Sequence, residues 1–386
     1  MQSYRYDNKL FPMTGKEQKR GQTMADVRDE EILSAAEEIF GDRIKRRPLG
    51  GGESSVENAL ALVSPINSQE VELLSEVAGR FSVQLVGLGA QTASAPTMQS
   101  RSILVRFDLM GDMRFPGSDE PWVEVEPGAT LLGLENNLEA RGAGLAVYPT
   151  SAPRATVGGW LAMDGLGVGS FEYGWLSENV LSADVVLAGG ERREVRGEEL
   201  LQFGQTGETT GIVVSATLRT RRADTDVPFG GAFDDPEDLV RTIVSIQEAG
   251  VPLWHLAFLD PRMARARNSG EDYLLFGAYP RERAAAVEKA LQGAFESHRG
   301  RVLPAAETYH VWGERFFPVA PSRPAPTSTE RMLVTLAETK QALISARDRS
   351  ANRYPGHRRP DRGGAAPNLR RPRGGVGELS PNQGVA

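Results

Sequence analysis

Hydrophobic and polar positions alternate in two different periods along the first quarter of the chain. Residues 26–41, DVRDEEILSAAEEIFG, carry apolar side chains at helical spacing. The next segment, 59–89, contains an apolar run, a turn at 65–68, a helix that begins near Ser68, and a second apolar run. This order predicts one helix followed by a strand, helix, strand unit.

From Ile103 onwards the pattern changes to short apolar runs separated by turn residues. ILVRFDL, WVEVEPG and GLAVYP predict strands, and TLLGLENNLEARG between the last two predicts a helix. Two further strands are predicted by LSADVVLAGGERREV and GIVVSATLRT. Because helices and strands do not alternate regularly here, we expect an α+β unit that ends near Arg222.

A second unit follows, in which strand, helix and strand occur twice in about a hundred residues. This repeat predicts a ferredoxin-like split βαβ sheet. Beyond Pro318 the chain is rich in Arg, Pro and Gly and has few large apolar residues, so we expect a mostly disordered tail. The predicted divisions are an N-terminal extension, two folded units and the tail: 1–27, 28–222, 223–325 and 326–386.

Composition excludes several classes of site. The 386 residues include no cysteine and four histidines, which are scattered, so cysteine chemistry and a histidine-built metal site within one segment are not expected. The formal net charge of −7 does not favour a nucleic-acid partner for the whole molecule. No signal sequence or membrane-length apolar run is present, and we therefore predict a cytoplasmic protein.

Glycine is concentrated in three loops, at 86–94, 150–174 and 204–213. The middle stretch, TSAPRATVGGWLAMDGLGVGSFEYG, reads neither as a helix nor as a strand. Glycine allows positive φ and close approach to backbone amides, and successive amides can hold a phosphate. The first loop lacks the third glycine of GxGxxG, because position 92 is threonine, and no GxxxxGK[ST] motif occurs. A nicotinamide-type loop and a P-loop are therefore disfavoured.

In this order the three loops resemble those of the FAD-binding domain in the vanillyl-alcohol oxidase and p-cresol methylhydroxylase flavoprotein family. The resemblance is strongest to its glycolate oxidase and D-lactate dehydrogenase-like branch and runs from about Leu62 to Arg222. VGLGAQT falls at the family's first phosphate loop, YPTSAPRATVGGWLAMDGLGVGSFEYG at its Pro-x-Ser and Thr-x-Gly-Gly segment, and GQTGETTGIV at its last flavin loop. The resemblance implies a two-subdomain FAD-binding domain over 28–222.

The same resemblance implies which residues bind the cofactor. They are small or hydroxyl-bearing residues, or contact through the backbone, as a buried pyrophosphate demands. The implied residues are Gly89, Ala90, Gln91, Thr92, Pro149, Thr150, Ser151, Thr156, Gly158, Gly159, Asp164, Gly165, Gly167 and Ile212.

Three departures from the family pattern bear on this site. Leu88 replaces a frequent arginine and Gln91 a frequent glycine, so one phosphate contact is lost or moved. The last loop reads Gly207-Glu208 where the family usually has Glu-Gly. The first loop carries no histidine that could attach to a flavin, and we therefore expect FAD to be bound non-covalently.

The second unit corresponds to the family's substrate domain. The HxGDGNxH-type run of the metal-assisted branch is absent, so no metal is expected. Candidates for a base or an orienting group are His255, Tyr309, His310 and Tyr173, and Arg315 is a candidate for holding a substrate carboxylate. Structural roles are the alternatives. His255 lies in an apolar strand pattern that is typical of a core histidine. The aromatic residues around His310 are typical of packing at a domain interface, and Arg315 could form an interdomain ion pair.

The resemblance implies an FAD-dependent oxidoreductase that acts on a small alcohol or 2-hydroxy acid and passes electrons to oxygen, a quinone or an acceptor protein. A non-catalytic or accessory flavin-binding subunit of a larger complex is the alternative. The arginine-rich tail from about Arg347 leaves open a nucleic-acid-binding arm, a solvated extension or an out-of-frame translation. The substrate, the acceptor and the oligomeric state stay open.

Overall fold

The computed structural model describes residues 24–47, 59–92, 101–117, 120–203, 211–223, 225–316 and 376–378. The α-helices of these residues are α1 (Met24–Phe40), α2 (Ser68–Phe81), α3 (Leu131–Glu139), α4 (Val157–Met163), α5 (Ser170–Tyr173), α6 (Pro236–Glu248), α7 (Pro261–Ala266), α8 (Ala284–Ser297) and α9 (Ala305–Gly313). The strands are β1 (Ile44–Arg46), β2 (Ala59–Val63), β3 (Gln84–Leu88), β4 (Ser102–Arg106), β5 (Met113–Arg114), β6 (Trp122–Val125), β7 (Ala143–Leu145), β8 (Val180–Leu187), β9 (Arg192–Val195), β10 (Gly211–Arg222), β11 (Asp226–Phe233), β12 (His255–Leu259), β13 (Tyr273–Pro280), β14 (Arg301–Val302) and β15 (Val376–Glu378).

The first sheet has the order β1-β2-β4-β3. Strands β2 and β3 run parallel to β4, and β1 is antiparallel to β2. Helix α2 begins where Asn67 accepts a hydrogen bond from the Glu70 N–H, and its buried side of Val71, Leu74 and Ala78 packs in the same apolar cluster as α1 and the sheet. The carboxyl ends of β3 and β4 therefore lie at one edge of the sheet.

The second sheet is antiparallel and has the order β5-β6-β10-β8-β9, with β7 paired to the far end of β10. Strand β10 is the longest, at twelve residues, and contacts three other strands. Its residues Ile212 and Val214 lie in the core shared with the first sheet, while Ala216 and Leu218 lie in the core over α3. The strand thus joins the two cores of the N-terminal half.

The third sheet has the order β14-β11-β13-β12-β15 and is antiparallel throughout. Its first four strands have the 4-1-3-2 order of a ferredoxin-like fold, in which α6 connects β11 to β12 and α8 connects β13 to β14. Helices α6 and α8 cover one face, and α7 and α9 pack in a second cluster on the other face. The predicted α+β class and the split βαβ arrangement are confirmed.

One expectation needs correction. The glycine-rich stretch 150–174 contains two short helices, α4 and α5, because apolar residues of each helix are buried. Helix α1 begins at Met24. Residues Val376–Glu378 form β15 on the third sheet. The rest of the tail, its arginine cluster and the Gly207-Glu208 loop lie outside the described residues.

Within the described part of the chain, no helix combines the length and apolarity that a membrane crossing requires.

Candidate functional site

The first loop leaves the first sheet at the carboxyl end of β3. Gln91 has φ of 52°, in the left-handed region that favours glycine, the residue that the predicted resemblance implies at this position. No backbone N–H of Ala90, Gln91 or Thr92 donates to another described residue. Backbone N–H groups that point away from the rest of the described chain can bind an anion.

Helix α4 begins directly opposite this loop. Thr156 caps the helix by accepting a hydrogen bond from the Gly159 N–H at 3.4 Å. A Cβ on Gly89 would lie 2.9 Å from the Thr156 hydroxyl oxygen and 3.0 Å from the Gly159 Cα, so the two segments approach with no side chain between them. A Cβ on Gly158 would likewise lie 2.7 Å from the Cβ of Pro127. The structure therefore brings together the first loop and the Thr-x-Gly-Gly segment.

Other glycines of the middle stretch face protein backbone. A Cβ on Gly167 would lie 2.1 Å from the Tyr148 carbonyl oxygen, and one on Gly169 would lie 2.0 Å from the Ala146 carbonyl oxygen. Tyr148 and Val168 exchange backbone hydrogen bonds of 3.0 and 2.7 Å across this contact. These glycines allow the residues before and after the loop to lie side by side.

Asp164 ends α4 in a strained conformation, with φ of 47° and ψ of 179°. Its carboxylate accepts hydrogen bonds from the N–H and the hydroxyl of Ser177, both at 3.1 Å, and is almost buried. Gly165 follows with φ of 142°. The contact with Ser177 fixes the turn that closes the loop.

The remaining predicted cofactor residues lie in a turn at 149–151 and on β10. Pro149 and Ser151 accept backbone hydrogen bonds that form a tight turn, and Thr150 within it is 8% exposed. Ile212 is buried on β10 opposite Val186, where its side chain packs in the core.

His255 lies on β12 and is 1% exposed. Its Nδ1 accepts a hydrogen bond from the Gly169 N–H at 3.3 Å, so a neutral ring carries its proton on Nε2. Burial, reinforced by the positive charge of Arg315, lowers its pKa to about 3. A ring that stays neutral near neutral pH and is closed off from solvent acts here as a packing and hydrogen-bonding residue.

Arg315 follows α9 and reaches the first unit. Its Nε donates to the Tyr148 hydroxyl at 3.0 Å, and its guanidinium lies 4.4 Å from the Trp312 ring centroid and 4.3 Å from that of Phe316. Tyr148 directly precedes the Pro149–Ser151 turn, and burial raises its pKa to about 12. The guanidinium is thus held beside the segment that the sequence assigns to the cofactor.

The other three candidates are Tyr309, His310 and Tyr173. Tyr309 and His310 are exposed on α9, and His310 Nε2 faces the carbonyl oxygens of Arg267 and Asn268 at 3.3 and 3.1 Å. Tyr173 is half-buried on α5, and burial raises the pKa of its hydroxyl. No group of three or more acidic, histidine or cysteine side chains that could bind a metal occurs within the described ranges.

The sequence pattern did not reveal a mostly buried cluster of charged residues, which consists of Glu135, Arg221 and Asp226. Arg221 on β10 donates to Asp226 at 2.9 Å and lies with its guanidinium carbon 3.4 Å from the Trp254 ring centroid. Glu135 on α3 accepts a hydrogen bond from the Leu145 N–H at 2.8 Å. Glu135 falls at the spacing of the buried residues Leu131, Leu134 and Leu138, a signal that could have revealed it.

Glu135→Gln is expected to remove a pH dependence of stability. Burial raises the pKa of Glu135 from 4.5 to about 7, so the folded state holds this proton more tightly than the unfolded state. Stability from this group is full below pH 4.5 and is lost as the pH rises to about 7, by about 3 kcal/mol. Urea unfolding of the wild-type protein and Glu135→Gln from pH 4.5 to 8 measures this pH dependence. If the free energy of unfolding changes with pH equally in the two proteins, the raised pKa of Glu135 is contradicted.

Two of the three glycine-rich loops lie in a segment that is similar to known proteins. Residues 59–196 match the family model described as FAD binding domain. This segment therefore resembles an FAD-binding domain. The chain is 29% identical over 223 residues to a probable mitochondrial D-lactate dehydrogenase of Danio rerio, covering 54% of this chain and 44% of the relative. It is 29% identical over 177 residues to a D-2-hydroxyglutarate dehydrogenase of Pseudomonas putida, covering 45% of this chain and 16% of the relative.

The fold of the chain is similar to that of a solved structure of p-cresol methylhydroxylase with substrate bound. The TM-score is 0.58 at 14% identity, over 74% of this chain and 67% of that structure. The predicted resemblance to FAD-binding proteins is confirmed by the family match, and the fold agrees with it. The chain spans less than half the length of both curated relatives.

Proposed function

We propose that this protein is an FAD-dependent oxidoreductase that oxidises a small alcohol or 2-hydroxy acid. The observation that carries the proposal is the arrangement of Arg315, which reaches from the second unit to Tyr148 beside the middle loop of the FAD-binding domain. Relatives named as D-lactate and D-2-hydroxyglutarate dehydrogenases favour a 2-hydroxy acid. The predicted units 28–222 and 223–325 are the proposed cofactor and substrate domains.

The residues that would hold FAD are those of the two facing segments. The N–H groups of residues 90–92, which donate to no other described residue, and the hydroxyl groups of Thr150, Ser151 and Thr156 suit the pyrophosphate. Gly89, Gly158 and Gly159 let the loop, α4 and Pro127 approach closely and would line the cofactor through their backbone. We assign Asp164, Gly165, Gly167, Pro149 and Ile212 to the walls of the same site. Because the first loop has no histidine, we propose that FAD is held non-covalently.

FAD supplies the hydride acceptor in such a reaction. The chain must supply a group that takes the hydroxyl proton, so that an alcohol leaves as a carbonyl compound. We keep Tyr173, Tyr309 and His310 as candidates for this group and propose Arg315 as the anchor of a substrate carboxylate. His255 is a further candidate; it is 1% exposed, and burial lowers its pKa to about 3. The predicted electron acceptor is oxygen, a quinone or a partner protein, and the predicted location is the cytoplasm.

A visible spectrum of the purified protein with FAD tests the proposal. We expect flavin absorbance that bleaches on anaerobic addition of D-lactate, D-2-hydroxyglutarate or glycolate. Bound flavin that resists a full panel of hydroxy acids and alcohols would instead support the alternative, an accessory flavin-binding subunit of a larger complex. A protein that takes up no FAD would contradict both.

Arg315→Met is expected to raise the KM for the hydroxy acid by about 10- to 100-fold, because a charged hydrogen bond to the carboxylate is lost. FAD affinity should not change, since Arg315 contacts Tyr148 rather than the loop amides. Steady-state kinetics and flavin fluorescence measure the two quantities. Arg265→Met, which removes an exposed arginine of α7, serves as the control, and an unchanged KM in Arg315→Met would exclude the anchor role.

A further inference from the structure

The segment 167–170 of the middle glycine loop has an acceptor for each of its backbone N–H groups. Three of these hydrogen bonds stay within the first unit: Gly167 to the Ser170 hydroxyl at 2.8 Å, Val168 to the Tyr148 carbonyl at 2.7 Å, and Ser170 to the Gly167 carbonyl at 3.1 Å. The fourth crosses between the units, because the Gly169 N–H donates to Nδ1 of His255 at 3.3 Å. One residue of the second unit therefore holds the loop at Gly169.

The His255 ring is a fixed acceptor. It is 1% exposed, and ring contacts place its centroid 5.8 Å from that of Trp312 and 6.1 Å from that of Phe276. Burial lowers its pKa to about 3, so the ring is neutral and Nδ1 keeps its lone pair at neutral pH. Nε2 then carries the ring proton and has no hydrogen-bond partner among the described residues. The recorded hydrogen bond of this ring is therefore the one to the loop.

The residue before His255 holds the same part of the chain on either side of this segment. The Trp254 indole N–H donates to the Ala146 carbonyl at 3.1 Å, and the Trp254 carbonyl accepts from the Glu172 N–H at 3.3 Å. These two bonds lie before and after residues 167–170, whereas the bond to His255 lies within them. Two consecutive residues of the second unit thus fix the conformation of the loop.

Two backbone N–H groups directly before this segment are available to a ligand. The N–H groups of Gly165 and Leu166 donate to no other described residue. The chain is held on one side of them by the bonds from Ser177 to Asp164, and on the other by the bond that crosses between the units. Backbone N–H groups held in this way suit the oxygen atoms of a cofactor.

We propose that His255 is a positioning residue for the FAD site, which holds the middle loop in its cofactor-binding conformation by accepting the Gly169 N–H. This inference rests on the proposed function. A loop that is already ordered binds a ligand without the free-energy cost of ordering it. The second unit thereby contributes to FAD affinity through a contact with the loop rather than with the cofactor.

The experiment compares two substitutions of similar size, His255→Leu and His255→Asn. Leucine has no acceptor and leaves the Gly169 N–H unpaired, so we expect FAD to bind about 10-fold more weakly. The side-chain oxygen of asparagine can accept the same hydrogen bond, so FAD affinity should stay within about threefold of wild type. Titration of each apoprotein with FAD, followed by flavin fluorescence, gives the dissociation constants.

Urea unfolding separates positioning from a general loss of structure. Asparagine brings amide N–H donors without acceptors into a buried site, so His255→Asn should be no more stable than His255→Leu. FAD affinity should therefore be higher in the variant that is not the more stable of the two. His298→Leu, at the end of α8 in the same unit, is the control and should bind FAD as the wild-type protein does.

Hydrogen exchange gives a second measurement if His255→Asn does not fold. In the apoprotein, the peptide that covers residues 165–170 should exchange faster in His255→Leu than in the wild-type protein, because the Gly169 N–H has lost its acceptor. The same peptide should exchange at the wild-type rate in His298→Leu.

Four outcomes would overturn the inference. They are wild-type FAD affinity in His255→Leu, an equal loss of affinity in His255→Asn, an equal loss in His298→Leu, and unchanged hydrogen exchange at residues 165–170 in His255→Leu. In each case the wild-type protein still binds FAD, so the proposed function stands while the positioning role of His255 fails. Absence of FAD binding by the wild-type protein would instead refute the proposed function and this inference together.

Discussion

Gly169→Ala is expected to lower the free energy of unfolding by about 3–5 kcal/mol. Gly169 has φ of +94°, and an added Cβ would lie 2.0 Å from the Ala146 carbonyl oxygen and 2.6 Å from the Trp254 indole nitrogen. The first of these atoms belongs to backbone that is itself paired to β10, so it cannot move aside alone. The same indole donates to the Ala146 carbonyl at 3.1 Å, and this hydrogen bond would also be disturbed.

Urea unfolding measures the change, with Gly293→Ala as the matched control. Gly293 lies inside α8, and a Cβ there meets nothing within 4 Å. Alanine is the better helix former, so this control should be more stable by about 0.5–1 kcal/mol. A Gly169→Ala protein within about 1 kcal/mol of wild type would show that the loop can shift as a unit, contrary to the packing argument.

Arg221→Met is expected to cost about 3–5 kcal/mol, because it leaves Asp226 without its partner in a mostly buried site. The Arg221 side chain is 5% exposed, donates to Asp226 through both terminal nitrogens, and stacks on Trp254. Its removal therefore leaves the Asp226 carboxylate without a counter-charge and removes the cation from the face of the Trp254 indole. Denaturant unfolding at pH 7 gives the loss in free energy.

Two comparisons separate the burial effect from the charge effect. Arg114→Met breaks the pair with Glu124, in which the arginine is 71% exposed, and should cost no more than about 1 kcal/mol. The double variant Arg221→Met with Asp226→Asn removes the stranded charge and should recover part of the loss. A cost for Arg221→Met as small as that for Arg114→Met would disprove the importance of this pair.

The sequence was sufficient for most of the fold because the governing information is local. Apolar runs bounded by turn residues gave β2, β4, β6, β8 and β10, and the repeated strand, helix, strand order of the second unit predicted the observed ferredoxin-like sheet. Helix α4 was not predicted because Gly158 and Gly159 have low helix propensity. Burial of Val157, Trp160 and Leu161 overrides that preference in the folded chain.

The candidate site was less predictable because it depends on contacts between distant segments. The approach of Gly89 to Gly159 and the hydrogen bond from Arg315 to Tyr148 join residues 70 and 167 positions apart. No periodic pattern encodes such pairings. Only the resemblance placed the loops together, and it carried no information on Arg221, whose partners are Asp226 on β11 and Trp254 just before β12.

The short connection between the second and third sheets has a mechanical consequence. Three residues separate β10 from β11, and the Arg221–Asp226 pair spans this connection. A joint that is this short and tied across its own ends does not behave as a free hinge. The two units on either side of it would then keep one spacing when a ligand binds, and any adjustment would fall to surface segments.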